Sequence, residues 1–288
     1  MSATYVDTQQ VGWRFLASRR WLGYYALLLV FAVSCTLFGN WQFARRAEAR
    51  AEIARIDRNY DATPIALGDA VPDRGAFDEA RWKWQPVELH GAYTGDTLLA
   101  RGRPGPDGTG SDLVQAFELD DGGVVFIDRG WVPVTGVDEA SAVLPAPPAG
   151  EVTVVARLRA SERLVSGREP SGRTVPQINS AELAELTGTR DRAYLGVWGQ
   201  LASETPAAET GVLAPRPERD EGPHLSYALQ WYVFILIALA GTAYAATREH
   251  RNLNGDDPAY AERDRRRAER RRRRGPSDAD EEDALLEG

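Results

Sequence analysis

Two uncharged apolar runs, Trp21–Ala44 and Leu225–Thr247, constrain this chain more than any other feature. At a rise of about 1.5 Å per residue, their roughly 24 and 23 residues each cover a hydrocarbon core of about 30 Å. Arg14, Arg19 and Arg20 flank the first run, and Arg248, Arg251 and a later arginine block flank the second. By the positive-inside rule both termini are cytoplasmic and the intervening loop of about 180 residues lies outside. Arg45, Arg46, Arg50, Arg55 and Arg58 follow the first run, where the rule disfavours them. Glu48 and Glu52 are interspersed with them, however, and the segment reads as an amphipathic helical extension leading into a loop too long for its charge to govern translocation.

Two processing signals compete for the first run. Ser18-Arg19-Arg20-Trp21-Leu22 resembles a twin-arginine export signal, and Ala32-Val33-Ser34-Cys35 resembles a lipoprotein cleavage box. The uncharged run continues past Cys35 through Phe38 without an A-x-A site, so a retained helix is expected.

The mean hydropathy of -0.38 requires most of the remaining chain to face water. The expected fold class is therefore a membrane protein, with two transmembrane α-helices flanking a mainly-β extracytoplasmic domain. That domain reads as a sandwich or small barrel with little helix, of α+β type. The expected organisation is an arm (1–20), a first span (21–44), a β domain with linkers (45–222), a second span (223–247) and a charged, solvated cytoplasmic tail (248–288). Lys83 is the single lysine among 34 basic residues, the usage of a GC-rich bacterial genome, which makes the membrane a bacterial inner membrane. In the tail, the basic block Arg263–Arg274 is interleaved with acids and followed by the acidic block Asp278–Glu287. A lipid surface is a better partner for it than nucleic acid.

Strands are expected over Trp82–Tyr93, Thr97–Arg101, Leu113–Leu119, Glu151–Arg159 and Arg192–Leu201. Asp120-Asp121-Gly122-Gly123 turns a hairpin into Val124–Trp131, and Asn179-Ser180-Ala181-Glu182 caps a short helix to Leu186. Pro145–Pro148 and Pro206–Pro223 read as loops.

The domain holds little that could catalyse a reaction. Cys35 is the only cysteine, which excludes an intrachain disulfide, a two-thiolate metal site and a CxxCH haem attachment. There is no G-x-S-x-G elbow, and His90 reads as a half-buried strand residue. The loop Gly102–Gly110 lacks the G-K-[ST] ending of a phosphate loop and reads as a flexible turn. No enzyme is expected. In Asp128-Arg129-Gly130-Trp131-Val132-Pro133, one reading pairs Asp128 with Arg129 and packs Trp131 on the sheet. The other makes Arg129 and Trp131 anchors for a partner, since arginine and tryptophan dominate interfaces.

The two spans carry polar and aromatic residues at the same membrane surface. Phe38, Trp41, Gln42 and Arg45 share one helix face at i, i+3, i+4 and i+7, and His224, Tyr227 and Trp231 share another. Gly39 would permit close approach of the two helices. Such residues commonly form interfacial belts. They also suit haem, because neutral imidazole ligates iron, an arginine pairs with a propionate and flat aromatics flank a porphyrin.

Gly39-Asn40-Trp41-Gln42-Phe43-Ala44-Arg45 resembles the G-x-W-Q-x-x-R signature of the Surfeit locus family of cytochrome c oxidase assembly proteins. His224-Leu225-Ser226-Tyr227-Ala228-Leu229-Gln230-Trp231 is similar to that family's second-helix signature. Gly91-x-Tyr93 and Asp128–Pro133 are similar to its central blocks, in the same order. The resemblance covers about residues 20 to 248. It implies a factor that transiently binds haem a and hands it to the catalytic subunit of cytochrome c oxidase, with the haem a synthesis machinery as a further partner. It also implies His224 as the ligand of the haem iron, with Arg45, Trp41, Gln42, Tyr227 and Trp231 around the cofactor and Arg129 and Trp131 contacting the oxidase or bracing the helices. The rival readings are a permanent accessory subunit of a respiratory oxidase supercomplex and an unrelated membrane-anchored binding module.

Overall fold

A computed structural model describes residues 12–134 and 143–254, together with 262, 265, 266 and 268–270. The acidic tail block, most of the arginine block before it and the arm up to residue 11 lie outside the described residues. In chain order the elements are a 3-10 turn (Trp13–Ala17), α1 (Arg19–Asn59), β1 (Ile65–Ala66), α2 (Leu67–Ala70), α3 (Glu79–Trp82), β2 (Pro86–Gly105) and β3 (Gly108–Leu119). These are followed by β4 (Val124–Val132), β5 (Val152–Ala160), β6 (Thr174–Val175), α4 (Ser180–Leu186), β7 (Val197–Thr205) and α5 (His224–Leu253). They divide into two compact units, one of residues 1–47 and 222–288 and one of residues 48–221.

In the first unit, α1 and α5 are both long and apolar enough to cross a membrane. They pair where side chains are small. A Cβ at Gly39 would lie 2.8 Å from the Tyr232 ring, and Ala228 is completely buried. The small residues let the two helices approach to van der Waals contact. At the other end, the buried Trp21 donates its indole N–H to Glu249 at 3.1 Å, Arg20 pairs with the same carboxylate, and Trp13 stacks on His250 at 4.2 Å.

In the second unit, the expected helical extension is the last three turns of α1. Ile56 and Tyr60 pack against Trp84, and Asn59 donates to the carbonyls of Arg81 and Lys83, each at 2.8 Å. Glu52 accepts from the Trp84 indole at 2.8 Å and pairs with Lys83 at 3.1 Å. Burial raises the Glu52 pKa, but these bonds and the charges of Lys83 and Arg55 outweigh it, and the net shift is downward.

Five strands close a ring. β2 pairs with β3, β3 with β4, β4 with β7, β7 with β5 and β5 with β2; all are antiparallel except β4 with β7. Of the two expected architectures, the small barrel is therefore the one present. Closure depends on β2, whose first half bonds to β5 and whose second half bonds to β3. Gly91 is the corner, opposite both Val152 and Leu119. Alternate residues of all five strands fill the interior, among them Leu89, Phe117, Ile127, Val154 and Leu201. α4 covers a second cluster outside the ring around Phe126, Ile178 and Leu183. Its N-terminus is capped as expected, the Asn179 side chain accepting from Glu182 N at 2.9 Å.

Several local expectations give way to tertiary context. Trp82–Gln85 is not strand: α3 ends there, and Trp84 takes a positive φ of 73° so that its ring reaches the α1 extension. The last strand starts at Val197 rather than Arg192, and the Gly102–Gly110 loop is the paired tip of the β2–β3 hairpin. His90 is exposed on the outer face, 3.1 Å from Thr153 Oγ1 and 3.2 Å from Glu88 Oε1.

Candidate functional site

On the paired helices, the residues singled out from sequence separate into two groups. Four of them meet, as two contacts: His224 Nδ1 lies 2.8 Å from Gln42 Oε1, and Phe38 stacks on Trp231 with ring centroids 4.8 Å apart. Because an amide oxygen only accepts, the contact is a hydrogen bond in the tautomer that carries its proton on Nδ1. The Nε2 edge of the ring faces Gly222, where a Cβ would lie 3.4 Å from Nε2. Gly222 has φ +67°, a left-handed backbone that favours glycine.

Trp41 and Tyr227 remain about half exposed, at 54% and 49%, and make no ring contact among the described residues. Neighbours on a helix point about 100° apart, so when Gln42 turns toward α5, Trp41 turns away. Arg45 is exposed, one turn beyond Trp41. The sequence did not single out Tyr232, whose hydroxyl donates to Asn40 Oδ1 at 3.0 Å and whose ring covers Gly39. The small residue at Gly39 was the available sign that an aromatic would sit opposite it.

In the β domain, the Asp128–Pro133 stretch keeps the expected packing of Trp131 on the sheet but not the expected Asp128–Arg129 pair. Adjacent strand residues point to opposite faces, so Asp128 and Arg129 do not pair with each other. Arg129 is completely buried. It donates through Nη2 to Glu204 Oε1 at 2.6 Å, through Nε to Glu204 Oε2 at 3.2 Å, and through Nη1 to Gln115 Oε1 at 3.0 Å. The Tyr93 hydroxyl donates to the same Glu204 at 2.8 Å, and burial beside that carboxylate pushes the phenol pKa up. The guanidinium thus offers no surface to a partner, and the interface reading of Arg129 is corrected to an internal brace of the barrel.

Trp131 is 6% exposed and occupies a slot made by two glycines. A Cβ at Gly105 or Gly110 would fall 2.2 or 2.4 Å from its ring, and its indole donates to Arg103 O at 3.1 Å. Gly130, at φ +107°, lets the backbone of Gly211 approach so closely that a Cβ would meet Gly211 C at 2.7 Å. Trp131 and Val212 then exchange backbone bonds of 2.9 and 2.8 Å.

Asp128 faces the other way, with Gly130 N–H donating to its Oδ1 at 2.9 Å. Burial, then repulsion by Asp112, pushes its pKa up to about 7, although the Gly130 bond, Arg103 and Arg159 act in the opposite sense. Asp112 is pushed up to about 6, first by burial and then by Glu162, against the pull of Arg103. Both values exceed the ordinary 3.8, so folding favours the protonated acids. Their stabilisation is complete below about pH 4 and is lost as pH rises through about 6 and 7. Thermal unfolding at pH 5 and pH 8 should show this loss, and Asp128→Asn should reduce it by a few kcal/mol at most; an unchanged pH slope would count against a buried acid.

The sequence profile of the SURF1 family matches residues 29–236, a span that includes both helix signatures and the β domain. A SURF1-like protein of Mycobacterium tuberculosis is 34% identical over 248 residues, covering 82% of this chain and 87% of that protein, and one of Mycobacterium bovis matches to the same extent. A SURF1-like protein of Monosiga brevicollis is 27% identical over 237 residues, 78% of this chain and 88% of that protein. By the extent of these matches, the chain belongs to the SURF1 family of cytochrome oxidase assembly factors.

Proposed function

We propose that this chain is a two-span membrane protein of the bacterial inner membrane. Its β domain is extracytoplasmic and both termini are cytoplasmic. It transiently binds haem a at His224 and hands it to the catalytic subunit of cytochrome c oxidase without catalysing a reaction itself. The reading rests above all on the 2.8 Å contact between His224 Nδ1 and Gln42 Oε1. An imidazole that ligates a metal ordinarily donates its other N–H to a fixed acceptor, which sets the tautomer and raises ligand basicity. Haem a, when bound, would supply an iron that such a nitrogen can ligate. His224 would hold the iron through Nε2, Gln42 would orient the ring, and Trp231, stacked on Phe38, would give an apolar wall. Arg45 would pair with a propionate, while the half-exposed Trp41 and Tyr227 would flank the porphyrin edge.

Purified full-length protein carrying His224→Ala is expected to lose its Soret absorption. Gln42→Leu is expected to keep the band and weaken haem affinity by about 10–100-fold. Normal haem stoichiometry in the His224 variant would exclude His224 as the ligand. In a deletion strain, oxidase haem a content should be restored by the unmodified chain and not by His224→Ala. Stable copurification with mature oxidase, without haem on the isolated chain, would instead indicate an accessory subunit.

A further inference from the structure

The β domain contains a cavity of about 260 Å³ lined by three carboxylates and two guanidiniums: Asp112 of β3, Asp128 of β4, Glu162 after β5, Arg103 of β2 and Arg159 of β5. Trp131 and Trp198 supply aromatic wall. The charged groups are unevenly partnered. Arg103 Nη2 donates to Glu162 Oε2 at 2.7 Å, and Arg103 Nε lies 3.2 Å from Asp112 Oδ2. Glu162 also accepts from Ile178 N at 2.9 Å. The Arg159 guanidinium sits between the Trp84 and Trp198 rings, 4.1 and 5.1 Å from their centroids, and makes no ion pair or hydrogen bond among the described residues. Asp128, only 5% exposed, has a single hydrogen bond, from Gly130 N to Oδ1. Its second oxygen has no hydrogen-bond donor among the described residues, and the side chain lines the cavity.

With every group ionised, the lining is one positive charge short. A buried carboxylate without a full set of partners either takes a proton or takes a cation. We propose that this cavity binds one organic cation of the ammonium or guanidinium class, held by Asp128 and Asp112 against the Trp131 and Trp198 rings. Aromatic walls around a carboxylate are what such cations favour, through ring quadrupole and charge together. An anion would meet an excess of carboxylates, with Arg103 already committed to two of them. A metal ion is disfavoured because no group of three His, Cys, Asp or Glu side chains able to hold one occurs among the described residues. The volume is below the range of about 300–1,000 Å³ that takes drug-sized ligands, and it suits the tip of a lysine or arginine side chain or a small free amine.

Cation and proton then compete for Asp128. Its surroundings are Asp112, Glu162, Arg103 and Arg159, with Glu52 acting on Arg159 from the α1 extension. With Asp128 pushed up to about 7, only about one molecule in a hundred is ionised at pH 5, so apparent affinity should be about 100-fold weaker there than at pH 8.

The test is calorimetric titration of the detergent-solubilised full-length chain with methylguanidinium, with butylammonium and with a short, end-capped and otherwise uncharged peptide carrying one internal arginine. The expected result is saturable 1:1 binding at pH 8 that weakens about 100-fold at pH 5 and is lost in Asp128→Asn. Tighter binding of the peptide would assign the cation to a partner's side chain, and tighter binding of the free cations would assign it to a small amine. Absence of saturable binding, equal displacement by sodium at matched ionic strength, or affinity independent of pH would overturn the proposal. The pH series uses the unmodified chain, so it decides the question even where Asp128→Asn does not fold. Loss of this site would leave the His224 reading untouched, since haem absorption is a separate measurement.

Discussion

Replacing Arg129 with methionine is expected to lower the stability of the β domain by about 3–5 kcal/mol, because it leaves the Glu204 carboxylate buried without its counter-charge. The Glu204 side chain is 4% exposed, and Arg129 supplies two of its hydrogen bonds while Tyr93 supplies a third. Its charge cannot be taken up by water without opening the end of the barrel. The pair itself contributes little net stabilisation, since taking both ions out of water costs about as much as their attraction returns. The double variant Arg129→Met/Glu204→Leu should therefore recover most of the loss, a result that thermal melts of the two singles and the double would show. Equal melting of Arg129→Met and the unmodified protein would mean that the guanidinium is not a brace.

Gly91→Ala should be at least as damaging. The residue has φ +156°, and a Cβ there would sit 1.9 Å from Glu118 O and 2.9 Å from the Leu119 Cα, both backbone atoms that cannot swing aside. The left-handed backbone alone costs a residue with a Cβ about 1–3 kcal/mol, and relief of the clash requires β2 to part from β3. Because β2 leaves β5 and joins β3 at this corner, that movement opens the ring itself. We expect low yield of folded protein and a loss above about 3 kcal/mol in what is recovered. Gly95→Ala, where a Cβ would meet nothing within 4 Å, is the control and should be near neutral.

The sequence was most informative where one local rule acted alone. The apolar runs, the Asn179 cap and the Asp120–Gly123 turn depend on length, side-chain reach and backbone permissiveness, each confined to a few residues. It was least informative about partners. Arg129 and Trp131 have the composition of an interface, but composition does not register that Glu204 and Gln115 approach the guanidinium, or that Gly105 and Gly110 shape a slot for the indole. Likewise Arg103, Asp112, Arg159 and Glu162 are ordinary charged residues in strands and loops. The β2–β3 and β3–β4 hairpins set some of their register locally, but Arg159 and Glu162 reach the others only through the distant pairings of β5 with β2 and β7.

The opening feature divides in the same way. The sequence alone determined that two helices can each span a membrane and that His224, Gln42 and their aromatic neighbours lie at matching levels, because helical rise and periodicity follow from residue order. Only the tertiary structure decided that Gln42 rather than Trp41 turns to His224, and that the strands close a ring around an apolar core with Arg129 and Glu204 paired among them. Those outcomes depend on the rotation of one helix against another, between residues 182 positions apart, and on pairings such as β2 with β5 and β4 with β7 that no single turn sets.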